Sequence, residues 1–308
     1  KYIAMIPEFP LFKPLEIEDR ADIEGFLKEF PPYSDFNFFS LWCWNVGGYF
    51  MVSKLNGNLI VRFADYITSD FFYSFIGSKK TEDTINVLLK FSHEKLGLNY
   101  LRMVPARSLG KIMNKDEYSI TEERGAFDYV YDLSEFYKYK GGSLKQKRRL
   151  VSNFIKKNDD IVVSNLDLQD VPTQNAIIDI ARDLVGGEGD TVHDSHEVIA
   201  LKRFMELSNT INQTNIIPLG VYVSGRLIIF NFTEIVHDYW AIVHFEKANF
   251  SLYPEAGAYI FYELMEIMKA KNVLYVNLEQ DLGINGLRAN KMSYRPTGFL
   301  KKYKINQR

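Results

Sequence analysis

The chain has 308 residues, room for two cores at the usual domain size of about 150 residues, or for one large one. Its hydrophobic fraction of 46% and aromatic fraction of 15% exclude a disordered, collagenous or coiled-coil protein. Charges nearly cancel, 37 Lys and Arg against 39 Asp and Glu, so no overall field advertises a nucleic acid or a membrane, and such a partner must meet a local patch.

The opening KYIAMIPEFPLF is too short and too interrupted by Pro to read as a signal peptide, and no apolar run of about 18 residues follows. From Glu16 to Phe30, apolar residues at helical spacing predict an amphipathic helix that Pro31-Pro32 stops. Apolar FSLWCWN follows, holding the lone Cys43, which builds no internal disulfide and reads as a buried small hydrophobe. A soluble, cytoplasmic protein is the expectation. Asn56-Gly57 then predicts a hairpin between strands at 49–55 and 58–64. A strand at 71–76, a helix at 81–96 capped by Thr81 and stopped by Gly97, and two further strands in YLRMV and FDYVYDL complete a mixed unit.

The second half repeats that grammar. Helices are predicted near 143–158, 173–185 and 196–210, and strands at 216–223 and 226–234 around a Ser224-Gly225 turn. A strand at 239–248, a helix at 255–271, a strand at 272–279 and a last strand in FLKKYKI follow. This is an α+β, mixed-sheet architecture built twice, with domains expected at 1–137 and 138–308. Gly186 to Gly189 read as a loop rather than a nucleotide motif, and His193 and His196 as part of a polar loop entering a helix rather than a metal site.

Between Lys138 and Lys157 lie eight Lys or Arg and no acid, leaving 29 positive against 39 negative charges elsewhere. As a helix, 143–158 buries Leu144, Val151, Phe154 and Ile155, lines a second face with Lys145, Arg149, Ser152 and Lys156, and sets Lys147 and Arg148 at the edge of the apolar stripe. Gly141, Gly142 and Ser143 precede it, a natural start for phosphate-facing N–H groups. A plain solvated helix with snorkelling side chains explains the same letters.

FSLWCWN (39–45), DYVY (128–131), KGGSLKQKRRLVSNF (140–154), HFEKA (244–248), EAGAY (255–259), NLEQDLG (277–283) and GLRANKMSYRP (286–296) together resemble the bacterial phosphatidylglycerol lysyltransferase C-terminal domain family, in its stand-alone soluble members. The resemblance implies two tandem GNAT-like domains related to tRNA-dependent aminoacyltransferases, with the functional site in the C-terminal half. The basic helix keeps Lys147 and Arg148 of the family's pattern without its His and Asn, and no transmembrane half is present to support a lipid acceptor.

Period two on the strand 239–247 puts His244 and Glu246 on one face with Trp240 and Ile242, and Lys247 on the other. Glu246 is a candidate base for an attacking amine, and a structural His244–Glu246 pair is the equal alternative. The loop SLYPEAGAY feeds a helix where a GNAT-type fold would meet donor phosphate, with Gly257 and Ala258 only weakly echoing the usual glycine loop. Glu279 and Asp281 fall at a strand end, suited to an amine, a metal or an ion pair with Arg288 or Lys291, and too poor in His and Cys support for the metal. Tyr294 and Arg295, with Arg288 and Lys291, make a second basic cluster that would line one anionic groove with the 145–149 helix.

The expected activity is transfer of an acyl or aminoacyl group from a phosphate-bearing donor, aminoacyl-tRNA or acyl-coenzyme A, to a small-molecule or peptide amine or a hydroxyl. Catalytic candidates are Glu246, Tyr294 and Asp281. Donor-phosphate candidates are Lys145, Lys147, Arg148, Arg149, Gly257 and Arg288, and no metal is expected. The alternatives are a non-catalytic module binding RNA or a phospho-ligand, and an acetyl-coenzyme A-dependent N-acetyltransferase.

Overall fold

Residues with φ > 0 close both predicted hairpins, Asn56 and Gly57 at φ 54° and 78° and Ser224 and Gly225 at 48° and 77°. That backbone twist matches the strands it joins. The computed structural model describes residues 5–110, 112, 116–183, 192–210, 215–237 and 239–308. In chain order its elements are β1 (Lys13–Pro14), α1 (Arg20–Leu27), α2 (Phe38–Trp44), β2 (Met51–Leu55), β3 (Asn58–Ala64), β4 (Phe71–Ile76), α3 (Thr81–Leu96), β5 (Tyr100–Pro105), α4 (Ala106–Leu109), β6 (Tyr118–Glu122), β7 (Asp128–Asp132), α5 (Leu133–Phe136), α6 (Lys145–Lys157), β8 (Ile161–Asn165), α7 (Val171–Asp183), α8 (Val192–Thr210), β9 (Ile216–Val223), β10 (Arg226–Val236), β11 (Trp240–Ala248), α9 (Ala256–Ala270), β12 (Tyr275–Asn277), α10 (Asn285–Ser293), β13 (Gly298–Leu300) and β14 (Lys302–Gln307). Gly186 to Gly189 and the side chain of His193 lie outside the described residues.

The chain forms two units, divided otherwise than at 137/138. One runs to Asp128 and takes back Gln280–Ile284 and Leu300–Arg308, and the other holds Tyr129–Glu279 and Asn285–Phe299. The reason is the last predicted strand. FLKKYKI breaks at Lys301, so that β13 ends one sheet while β14 becomes the middle strand of another.

The first unit has an antiparallel sheet β1-β2-β3-β4 and a three-stranded sheet β5-β14-β6. Its core gathers Ile60, Phe75, Leu88, Leu101, Val104 and Ile305 between sheet strands and α3. Thr81 does not cap α3: its hydroxyl donates to the Ser108 carbonyl at 3.2 Å, while Lys80, at φ 44°, occupies the cap position without a side-chain bond. Gly97, at φ 69°, ends the helix as its sequence predicts.

The second unit is built on a seven-stranded mixed sheet, β13-β7-β12-β11-β10-β9-β8. One face carries α6 and α9, packed through Val151, Phe154, Ile260 and Leu264. The other carries Phe204 of α8, stacked on Phe232 of β10 at 5.0 Å between ring centroids. Strand β12 runs parallel to β11 only from Trp240 to Ile242. Among the described residues, the β11 edge from Val243 to Ala248 has no strand beside it.

Candidate active site

Helix α6 is amphipathic, with a buried stripe that differs from the predicted one. Leu144, Lys147, Val151 and Phe154 are buried, and Ile155 is 52% exposed. Intervals of three, four and three residues keep those four on one face, and Ile155 falls one position beyond it. Phe154 stacks on Tyr259 of α9 at 4.6 Å, fixing the stripe against the core. Lys147 therefore sits among apolar neighbours, only 8% exposed, its Nζ 3.4 Å from the centroid of the Tyr294 ring. Loss of water pushes its pKa down to about 8, against the pull of the Glu246 carboxylate. No acid among the described residues lies within ion-pair distance of it.

Glu246 reaches the same place through a strand irregularity. Thr233 of β10 pairs with Val243 and Phe232 with Phe245, which leaves His244 as an extra residue on β11. Such a bulge reverses the alternation of faces beyond it. His244 and Glu246 are therefore not neighbours on one face, as period two predicts. His244 turns to the α8 side, its ring 5.7 Å from that of Phe204, with Nε2 3.1 Å from Glu234 and Nδ1 3.1 Å from Glu279. Those two carboxylates offset the burial of the ring and raise its pKa to about 9. Glu246 turns to the α6 and α9 side, where Asn231 donates to its Oε2 at 3.0 Å and accepts from Thr233 at 2.7 Å. Burial pushes Glu246 up to about 7, while Asn231 and the charges of Lys147, Lys247 and Lys291 pull the other way.

Two tyrosines and one glycine complete the group. Tyr139, fully buried with φ 54°, donates to the Ala258 carbonyl at 3.0 Å. Tyr294 packs 6.0 Å from it between ring centroids. Burial and the Glu246 charge raise the Tyr294 pKa far above the ordinary phenol value, so its proton stays on. At the start of α9, a Cβ on Gly257 would lie 3.2 Å from Glu246 Oε1 and 3.3 Å from the Phe250 ring, so glycine lets the helix start pack closely against the carboxylate.

Glu246, Tyr294, Lys147 and Gly257 thus converge, and Lys145, Arg148, Arg149 and Asp281 do not join them. Lys145 and Arg149 are exposed on the outer side of α6. The four cations of 145–149 consequently do not share one face. Arg148 folds back, its guanidinium donating to the Tyr139 carbonyl and, at 2.6 Å, to that of Gly141, so it ties the preceding loop. Arg288 is half-buried on α10. Asp281 belongs to the first unit, where it is fully buried, accepts from the Gly283 N–H at 2.8 Å and lies 3.3 Å from Arg124. It orders its own loop. Tyr139, Asn231 and Thr233 escape the sequence reading, although Asn231 and Thr233, polar and two apart inside apolar IIFNFTEIV, carried a signal.

The family model described as phosphatidylglycerol lysyltransferase, C-terminal, matches residues 28–306. The chain belongs to this family. Among solved structures, a conserved protein of unknown function from Bacteroides thetaiotaomicron superposes with a TM-score of 0.78 at 22% identity, over 96% of this chain and 99% of that one. The C-terminal domain of a candidate lysylphosphatidylglycerol synthetase from Agrobacterium fabrum gives 0.61 at 12%, over 94% and 92%. L-PGS from Bacillus licheniformis gives 0.61 at 13%, over 98% and 93%. No curated protein matches the chain in sequence. The fold is the expected α+β, mixed-sheet one, shared with the lysylphosphatidylglycerol synthetase C-terminal domain and L-PGS. Like the sequence, the phosphatidylglycerol lysyltransferase C-terminal fold here offers no helix among its described residues long and apolar enough to cross a membrane.

Proposed function

We propose that the second unit transfers an acyl or aminoacyl group from a phosphate-bearing donor, aminoacyl-tRNA or acyl-coenzyme A, to an amine or hydroxyl acceptor. The observation that carries this reading is the Glu246 carboxylate, bulged onto the α6 and α9 side, held by Asn231 and raised to about 7. A base of that strength suits proton removal at neutral pH. The lysyltransferase name of the family favours the aminoacyl version.

In this reading Glu246 takes the proton as the acceptor's nitrogen or oxygen attacks the donor carbonyl, and the bond from the carbonyl carbon to the donor's ribose oxygen or thiol sulfur then breaks. The proton that Glu246 has taken is the one available to that leaving atom, and Tyr294, which keeps its own, is the candidate to donate a hydrogen bond to it. The β11 edge from Val243 to Ala248, unaccompanied among the described residues, offers backbone groups to an extended donor. Exposed Lys145 and Arg149 are available to its phosphates. Most of the acceleration comes from holding the two substrates together.

The test is transfer of radiolabel from charged tRNA or from acetyl-coenzyme A to a panel of amines and alcohols. Wild type should transfer, and Glu246→Gln should lose about 100-fold or more, the usual contribution of a positioned base. Salt-sensitive tRNA binding with no transfer from either donor would leave only a binding module.

A further inference from the structure

A buried cation ordinarily finds a counter-ion, because taking an ammonium out of water costs more than packing returns. Lys147 has a place in the apolar stripe of α6 and no acid at pairing distance among the described residues. The Tyr294 ring, 3.4 Å away, compensates one side of the ammonium and supplies no charge. Glu246 is near enough for its field to act on Lys147, and it is committed through Oε2 to Asn231. The donor has no need of Lys147, since Lys145 and Arg149 stand in solvent on the same helix.

We infer that Lys147 is the seat of an anionic group carried by the acceptor, so that the acceptor is an amine with a carboxylate close to the nitrogen that is acylated. The inference rests on the transferase reading for the word acceptor, and on geometry alone for the anion site. Charge balance supports it. An unsubstituted amine reaches the site as an ammonium and is repelled by Lys147. An anion on the same molecule cancels that repulsion and leaves the amine facing Glu246, where its proton can go.

The experiment follows the side-chain Cε resonance of Lys147 in 13C-lysine-labelled protein, assigned by its loss in Lys147→Met, while sodium acetate, inorganic phosphate, glycine and glycinamide are titrated in turn. A saturable shift with glycine at least about tenfold tighter than with glycinamide is the expected result, corresponding to about 1.4 kcal/mol. Acetate saturating and phosphate not doing so supports the carboxylate, and phosphate saturating without acetate overturns it. Glu246→Gln should keep the shift. No saturable shift with any of the anions overturns the inference, as does a shift produced only by coenzyme A or tRNA, which would return Lys147 to the donor. If the anions bind and no transfer is found with any donor, the anion site stands and the transferase reading falls.

Discussion

Glu246 and Lys147 are an acid and a base whose ordinary pKa values have been brought toward each other by the same cause, loss of water. The consequence for activity has a definite sign. Glu246 must be ionised to act as a base, so the rate rises with pH through about 7, and Lys147 must be protonated to hold an anion, so the rate falls above about 8. A narrow bell in the pH dependence of kcat/KM is expected. Lys147→Met should move its acid limb to higher pH, because the lost ammonium was one of the groups holding Glu246 down. A pH profile unchanged by that substitution would separate the two residues functionally.

At the scale of one helix, Lys147→Met should also stabilise the protein. The Lys147 pKa is depressed, so its charged form is disfavoured by folding at any pH below about 8, and the penalty fades only above that value. The depression from 10.5 to about 8 corresponds to at most about 3 kcal/mol, to be read as a higher urea midpoint at unchanged slope. The neighbouring strand gives the opposite sign. His244 is raised from 6.5 to about 9 between Glu234 and Glu279, so its contribution is complete below about 6.5 and lost as pH rises through 9. That span corresponds to about 3 kcal/mol, and His244→Gln should flatten it in urea titrations across the range. Loss of the clamp should disturb the bulge and with it the direction of Glu246. The 3-4-3 spacing of Leu144, Lys147, Val151 and Phe154 was readable in the sequence, whereas the bulge was not: period two holds only while every residue pairs, and the extra residue is set by long-range strand register.

Over the whole molecule the same distinction holds. Turns fixed by local backbone chemistry, Asn56-Gly57 and Ser224-Gly225, are where the letters place them, because glycine's freedom acts within a few residues. The division of FLKKYKI between two sheets depends on partners elsewhere in the chain: Lys302 pairs with Pro105, and the preceding β13 lies beside β7. What fixes β14 is a buried ion cluster. The Lys302 ammonium is fully buried between Asp35 and Asp128, 2.7 Å from the latter, and Asp128 also accepts from the Ser34 hydroxyl at 2.7 Å and its N–H at 2.8 Å. Burial raises the Asp35 pKa and Lys302 opposes it, so the cation keeps two dry carboxylates tolerable. Lys302→Ala removes it and should cost about 3–5 kcal/mol, the usual penalty for orphaning buried charge. Asp35 would then lose the charge that opposes its raised pKa, and a group so raised favours the folded state as pH falls. Stability of the variant should therefore recover in mildly acidic urea titrations, and Asp35→Asn added to Lys302→Met should recover it at neutral pH. A loss independent of pH and unrelieved by the second substitution would mean that β14 is held by its backbone pairing with β5 and β6, and not by the charge at its first residue.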